Sequence, residues 1–170
     1  AESHVDNSIK NPSKIIKNNI GETYNFIQVI LDNTSFLGKD FKFIHLSTDE
    51  VYGSIKKNKN KIFKENSNLL PNSPYSSSKA AIDLIIRSLI VTYKFPGIII
   101  RSCNNFGPYQ HYEKLIPKII YNAIKLKKIP IYAKGNQIRE WAFVNDVSKQ
   151  IHLISKKGTL GEIYNIGSGF

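Results

Sequence analysis

Tyr75 and Lys79 stand four residues apart in Tyr75-Ser76-Ser77-Ser78-Lys79, a spacing that places both on one face of a helix. An ammonium beside a phenol stabilises the phenolate and lowers its pKa from about 10 toward working pH. The pair is then a base able to take a proton from a hydroxyl group. Alone it is a weak signal, because exposed Tyr-x-x-x-Lys pairs of no consequence occur in many helices. A second candidate is Ser47-Thr48-Asp49-Glu50, directly after a short apolar strand. In open parallel sheets ligands sit beyond the carboxyl ends of the strands. Burial and mutual repulsion can there set two carboxyl pKa values apart, so that one side chain acts as acid and the other as base. A solvated turn or a helix N-cap accounts for the same residues.

A third segment, Arg101-Ser102-Cys103-Asn104-Asn105-Phe106-Gly107-Pro108, offers two asparagines beyond a buried strand. They could hydrogen-bond a cofactor amide and a substrate hydroxyl, or make ordinary turn chemistry. A fourth group is Lys114-Leu115, Pro130-Ile131-Tyr132 and Gln137-Ile138-Arg139-Glu140-Trp141. Cations and a ring suit a nucleoside diphosphate; a surface salt bridge with core aromatics is the alternative. Cys103 reads as a small packed residue with no activating neighbour in sequence. His4, His45, His111 and His152 show no metal-ligand spacing, so no metal site is expected.

The elements that must position these residues alternate between helix and strand, the signature of an α/β layer fold. The pattern predicts a helix over Pro12–Leu31, with Pro12 in the first turn. It predicts a strand over Phe41–Leu46, a polar loop over Gly53–Pro74 and a helix over Tyr75–Tyr93 that is apolar nearly all round. Such a helix is buried on two sides, one over the sheet and the other against a second subunit. Gly97–Ile100 reads as a buried parallel strand. Beyond it come a turn-rich loop at Asn104–Pro108, a helix over Leu115–Lys127 interrupted at Pro117, and strands at Ile129–Tyr132 and Glu140–Val144. A helix over Asp146–Lys156 and a strand over Glu162–Ile166 complete the pattern. Residues 1–103 resemble part of a doubly wound parallel sheet, and 104–170 mainly a smaller α/β lobe beside it.

Composition narrows the class. The 170 residues are 41% hydrophobic and 22% charged, a balance suited to one soluble domain. No apolar run approaches the roughly 18 residues of a membrane helix, and one cysteine excludes an internal disulfide framework. An intracellular, cytoplasmic setting follows. The absence of methionine and the Ala1-Glu2-Ser3-His4 start mark the chain as an internal piece of a longer protein. The net charge of +11 points to nucleic acid, but 21 Lys against 3 Arg, with 27 Ile and 17 Asn, reads instead as compositional bias. Base and phosphate recognition favours arginine. Lys56–Lys61 also lacks interleaved aromatics, so no nucleic-acid partner is expected.

Taken together and in order, the motifs resemble the nucleotide-sugar 4,6-dehydratases of the extended short-chain dehydrogenase/reductase family. The resemblance rests on Ala1-Glu2-Ser3-His4-Val5-Asp6, Leu46-Ser47-Thr48-Asp49-Glu50-Val51-Tyr52-Gly53 and Pro74-Tyr75-Ser76-Ser77-Ser78-Lys79-Ala80. It continues through Asn104-Asn105-Phe106-Gly107-Pro108-Tyr109-Gln110, Glu113-Lys114-Leu115-Ile116-Pro117, Gln137-Ile138-Arg139 and Tyr164-Asn165-Ile166-Gly167. It spans essentially the whole chain, and Thr48-Asp49-Glu50 is its most specific step. It implies a partial Rossmann-type fold, bound NAD reduced and reoxidised within one turnover, an NDP-glucose substrate (dTDP-glucose foremost, UDP-glucose second) and a homodimer built from the Pro12 and Tyr75 helices.

The resemblance further implies that Tyr75 deprotonates the sugar 4-hydroxyl, with Lys79 lowering its pKa and holding the nicotinamide ribose. Glu50 removes the C5 proton, Asp49 protonates the departing 6-hydroxyl and Thr48 polarises the 4-oxygen. Ala1, Glu2, Ser3, Asn18 and Asn105 match the cofactor side. Ser3, Thr48, Asn104, Lys114, Leu115, Pro130, Ile131, Tyr132 and Arg139 match the substrate side. Asn18 stands where the family often has Thr, and Asn7 replaces an Arg common in the bacterial dTDP-glucose enzymes, which leaves the nucleotide open. The family's glycine-rich phosphate loop has no counterpart here, so these residues alone are expected neither to hold NAD nor to turn over.

Overall fold

The computed structural model describes residues 3, 5–54, 62–131, 135 and 138–169. Helix α1 (Val5–Lys10) precedes α2 (Pro12–Ile15), which starts where Asn11 accepts the Lys14 backbone N–H at 3.1 Å and Pro12 sets the first turn. A π-helical turn, Ile16–Gly21, joins α2 to α3 (Glu22–Asp32). The helix expected over Pro12–Leu31 therefore runs with a local widening. Such a turn accommodates an extra residue, and within it Asn19 faces inward, its Nδ2 donating to Ser78 Oγ at 3.0 Å.

Strand β1 (Phe43–Thr48) is followed by a tight helical turn, Asp49–Tyr52, and later by α4 (Pro74–Tyr93) and β2 (Gly97–Ser102). Ser73 caps α4 with a reciprocal box: its Oγ accepts the Ser76 N–H at 3.1 Å, and Ser76 Oγ accepts the Ser73 N–H at 3.0 Å. Lys94 ends α4 in a left-handed conformation with φ 56°. Then come β3 (Asn104–Phe106), α5 (Leu115–Ile124), β4 (Trp141–Phe143), α6 (Val144–Lys157) and β5 (Ile163–Ile166).

The main sheet is parallel, ordered β1-β2-β5, with Phe43 opposite Gly97, Thr48 opposite Ser102 and Ile99 opposite Ile163. Every residue of β2 is buried. Side chains alternate across a strand, so β2 feeds two cores. Ile99 packs with Ile27, Ile82, Ile86, Leu89 and Phe95 under α3 and α4. Ile98 and Ile100 pack with Ala142, Val147 and Ile166 under α6. The sheet is covered on both faces, as a parallel sheet requires.

Several expectations are corrected. Asn104–Phe106 is not a loop but a strand, paired parallel with Trp141–Phe143; its partner is distant in sequence, beyond the reach of local turn signals. Pro117 does not interrupt α5. It occupies the first turn, where N–H groups have no intrahelical acceptor. Residues 129–131 form no strand, and Tyr132 lies outside the described residues. Within this single chain the far side of α4 faces solvent, with Leu84 and Val91 exposed.

Gly53 ends the turn after Glu50 with φ 85°, and a Cβ there would run into the Leu70 carbonyl oxygen. Leu70 N–H in turn donates to Val51 O at 2.9 Å. Gly53→Ala is therefore expected to destabilise the fold by about 1–3 kcal/mol, read as a lower midpoint in urea unfolding at unchanged slope.

Candidate active site

Thr48 is the last residue of β1 and caps the turn that follows it. Its Oγ1 accepts the Glu50 backbone N–H at 3.3 Å and donates to Asp49 Oδ1 at 3.2 Å. The capping role and the delivery of two carboxyl groups to the strand's end are one arrangement. Asp49 and Glu50 are both half-buried. Burial, and next the charge of Glu50, push the Asp49 carboxyl up to about 6. Burial also raises Glu50, opposed by the charges of Arg139 and Lys114. Near neutral pH this turn holds one carboxyl poised to carry a proton beside a second carboxyl.

Tyr75 lies in the first turn of α4, close enough to the carboxyl pair to feel both charges. Burial, then Glu50 and Asp49, push its phenol up to about 12. Lys79, expected to lower this pKa, is not among the charges that shift the phenol here. The Lys79 ammonium is buried and donates to the Leu46 carbonyl oxygen at the end of β1. Burial lowers its pKa, and the charge it answers to is Asp83, one turn further along α4. Helix spacing alone could not reveal which neighbour the long side chain would choose.

Other expected residues gather nearby. Asn104 leaves its Nδ2 buried and, among the described residues, without a hydrogen-bond partner. Asn105 accepts Ser102 Oγ on Oδ1 at 3.1 Å, and its backbone oxygen accepts Gln110 Nε2 at 2.8 Å. Lys114 Nζ donates to Ser3 O at 2.8 Å and Ser3 Oγ at 3.2 Å, joining residues 111 positions apart. Arg139 is exposed and donates to the Ile138 carbonyl at 3.0 Å, while its charge reaches both Asp49 and Glu50. Asn18 sits half-buried in the π-helical turn, Leu115 opens α5, and Pro130 and Ile131 follow that helix. Ala1, Glu2 and Tyr132 lie outside the described residues.

The structure adds a buried polar cluster behind Lys79. Arg101 Nε donates to Asp83 Oδ2 at 2.9 Å, and its Nη1 to Tyr52 OH at 2.8 Å and Glu65 O at 3.1 Å. Tyr52 OH donates to Asn165 Oδ1 at 2.7 Å. His45 Nε2 lies 3.5 Å from Asp83 Oδ1. Burial first, then the charge of Lys79, push the His45 imidazole down to about 3, so it is neutral. An aspartate in an otherwise apolar stretch of α4 was the one sequence signal for this cluster. Elsewhere Glu140 Oε1 accepts the Ser168 N–H at 2.6 Å, its hydroxyl at 2.9 Å and the Gly169 N–H at 3.3 Å, fixing the segment after β5. Burial raises the Cys103 thiol to about 11, which fits a packed residue.

The sequence profile described as "NAD dependent epimerase/dehydratase family" matches residues 1–167. The chain is 44% identical to a dTDP-glucose 4,6-dehydratase of Salmonella typhimurium, over 98% of this chain and 49% of that protein. It is 43% identical to the low-salt glycan biosynthesis protein Agl12 of Haloferax volcanii, over 99% and 52%. It superimposes with a TM-score of 0.90 and 43% identity on DesIV, a dTDP-glucose 4,6-dehydratase of Streptomyces venezuelae solved with NAD bound, covering 100% of this chain and 50% of that one. A UDP-N-acetylglucosamine 4-epimerase of Methanobrevibacter ruminantium superimposes with a TM-score of 0.85 at 29% identity, over 100% and 53%. The chain thus spans about half the length of the curated relatives it matches.

The raised pKa of Asp49 has a sign that can be tested. A carboxyl that titrates near 6 when folded and near 3.8 when unfolded binds more protons in the folded state across that window. Its contribution to stability is therefore lost as pH rises through it. Asp49→Asn is expected to raise the Tm at pH 8, with the gain shrinking from pH 6 to pH 4. A gain independent of pH in thermal melts would contradict the assignment.

Proposed function

The chain belongs to the NAD dependent epimerase/dehydratase family, and on that premise we propose that its parent protein is a nucleotide-sugar 4,6-dehydratase acting on dTDP-glucose. The observation that carries the reading is the adjacent, half-buried Asp49–Glu50 pair delivered by Thr48 at the end of a parallel strand, whose charges act on Tyr75. A proton transfer at C4 needs one base. Removing water from C5 and C6 needs a second base and an acid in addition, and this turn holds both carboxyls.

The residues present fit a nicotinamide nucleotide. Lys79 uses one N–H donor on Leu46 O and has others for ribose hydroxyls. Asn105 stands beyond the end of β2, the position where open sheets bind ligands. Lys79, Tyr75, Asn18, Asn105 and Ser3, with Ala1 and Glu2, would hold NAD. When bound, NAD would supply reversible hydride transfer, between C4 and C6 of the sugar.

In this reading Tyr75 takes the 4-hydroxyl proton. For that the Lys79 ammonium must outweigh the carboxylates that raise the phenol, and a protonated Asp49 removes one of them. Thr48 hydrogen-bonds the 4-oxygen. The ketone formed there acidifies the C5–H bond, Glu50 accepts that proton, and Asp49 delivers its own to the 6-hydroxyl, which departs as water. Asn104 offers its unpaired Nδ2 to the sugar. Lys114 and Arg139 supply cations for the diphosphate, with Ser3, Leu115, Pro130, Ile131 and Tyr132 completing the nucleotide site. We assign 1–103 to the NAD-binding part and 104–170 mainly to the sugar-nucleotide lobe.

The apolar residues Tyr24, Phe26, Val29, Leu84, Val91 and Tyr93 are exposed on α3 and α4, which supports a homodimer through these helices. No helix among the described residues is long and apolar enough to cross a membrane, in keeping with a cytoplasmic enzyme. A 4-epimerase is the second reading, favoured by the 0.85 superposition on such an enzyme; product mass separates the two.

The test uses the full-length parent with dTDP-glucose and, separately, UDP-glucose. The expected product is the 4-keto-6-deoxy sugar nucleotide, one water lighter than substrate. Glu50→Gln is expected to lower its formation by about 10²–10⁴-fold and to suppress C5 proton exchange with deuterated water. Asp49→Asn is expected to keep that exchange while losing elimination. An epimer of unchanged mass would overturn the reading.

A further inference from the structure

Lys79 is an ammonium held almost out of water, and burial works against its charge. Among the described residues its one hydrogen bond, to Leu46 O, supplies a dipole but no counter-charge. From β1 the group facing it is His45, which is neutral. From the turn after β1, Asp49 and Glu50 act on Tyr75 rather than on Lys79. From α4 itself, Asp83 stands four residues on, 1% exposed, on the same face. From β2, Arg101 fixes that carboxylate through Nε at 2.9 Å.

We infer that the buried Asp83–Arg101 ion pair is the positioning element of Lys79: Asp83 supplies the counter-charge that keeps the ammonium protonated on the end of β1, and Arg101 keeps that carboxylate fixed and ionised. The register explains why they meet. Ser47 lies opposite Arg101 and His45 opposite Ile99, so His45, Ser47 and Arg101 project from the face that α4 covers. Arg101 cannot lose its proton, which holds the pair in its charged form. Asp83 Oδ2 serves Arg101, while Oδ1 lies 3.5 Å from His45 Nε2 and has no hydrogen-bond partner among the described residues. The inference rests on the reading of Lys79 as part of the proton-transfer pair, but it concerns residues that touch neither sugar nor cofactor.

The experiment uses the full-length parent as purified with its cofactor. Asp83→Asn removes the charge and keeps the shape. Because it strands a buried guanidinium and can prevent folding, the double variant Asp83→Asn/Arg101→Gln, which removes that guanidinium along with the carboxylate, is measured beside it. The first readout is the protonation midpoint of Lys79 by NMR of ε-¹³C-lysine protein, its signal assigned by its loss in Lys79→Arg. The midpoint is expected to fall by about one pH unit or more in either variant. The second readout is product formation against pH. Its alkaline limb is expected to move down by the same amount, with kcat reduced about tenfold at the alkaline side, KM unchanged and Asp83→Glu restoring the profile. An unmoved Lys79 midpoint in a folded variant overturns the inference. Absence of the 4-keto-6-deoxy product in the unmodified parent overturns the dehydratase reading instead, and the NMR titration still decides this one.

Discussion

A guanidinium buried within a covered parallel sheet must find protein partners for its donors, because little water reaches it. Arg101, 4% exposed, is that group. It takes Asp83 from α4, the Tyr52 hydroxyl from the turn after β1 and the Glu65 carbonyl from the long connection before α4, and it lies 4.9 Å from the centre of the Tyr52 ring. Tyr52 then reaches Asn165 in β5 and stacks on Phe63 at 5.1 Å. One side chain thus ties the helix, two strands, the turn and a loop into a single arrangement. The carboxyl pair, the tyrosine and the lysine hang from the elements it joins.

The same economy governs the charges in front of it. Desolvation is the first cause behind the raised Asp49, Glu50 and Tyr75 and the lowered Lys79. It favours neutral forms of all four. What differs among them is the second cause: each carboxylate adds to its neighbours' burden, Arg139 and Lys114 relieve Glu50, and Asp83 relieves Lys79. The shifts are therefore set by each group's surroundings as well as by its residue type.

Cover on both sheet faces makes this possible. Ile99 looks toward α3 and α4 while Ile98 and Ile100 look toward α6. The carboxyl end of β2, buried along its whole length, therefore emerges from a close-packed support. Asn104 continues from β2 almost at once into β3, whose pairing with Trp141 brings the Arg139 and Glu140 segment back beside the strand ends. The positive charge of Arg139 acts on the carboxyl pair only because of that second, short sheet.

Much of this was legible in the chain. Most of the order of helices and strands and the buried apolar run at Gly97–Ile100 follow from periodicity. So does the placement of Thr48-Asp49-Glu50 at a strand's end, because it needs only the strand and its length. What local pattern could not decide was partner choice over distance. Asn104–Phe106 read as a turn because its strand partner lies about 37 residues away. The widening at Ile16–Gly21 depends on Asn19 meeting Ser78, 59 positions on. Lys79 could face Tyr75 or Asp83 equally by helical spacing. The sequence by itself determined which groups can carry protons and which end of the sheet presents them, since both follow from residue type and strand direction. Only the tertiary structure decided which charges those groups feel, because Coulomb interactions and desolvation depend on distances that exist once the strands are in register and α4 is seated on them.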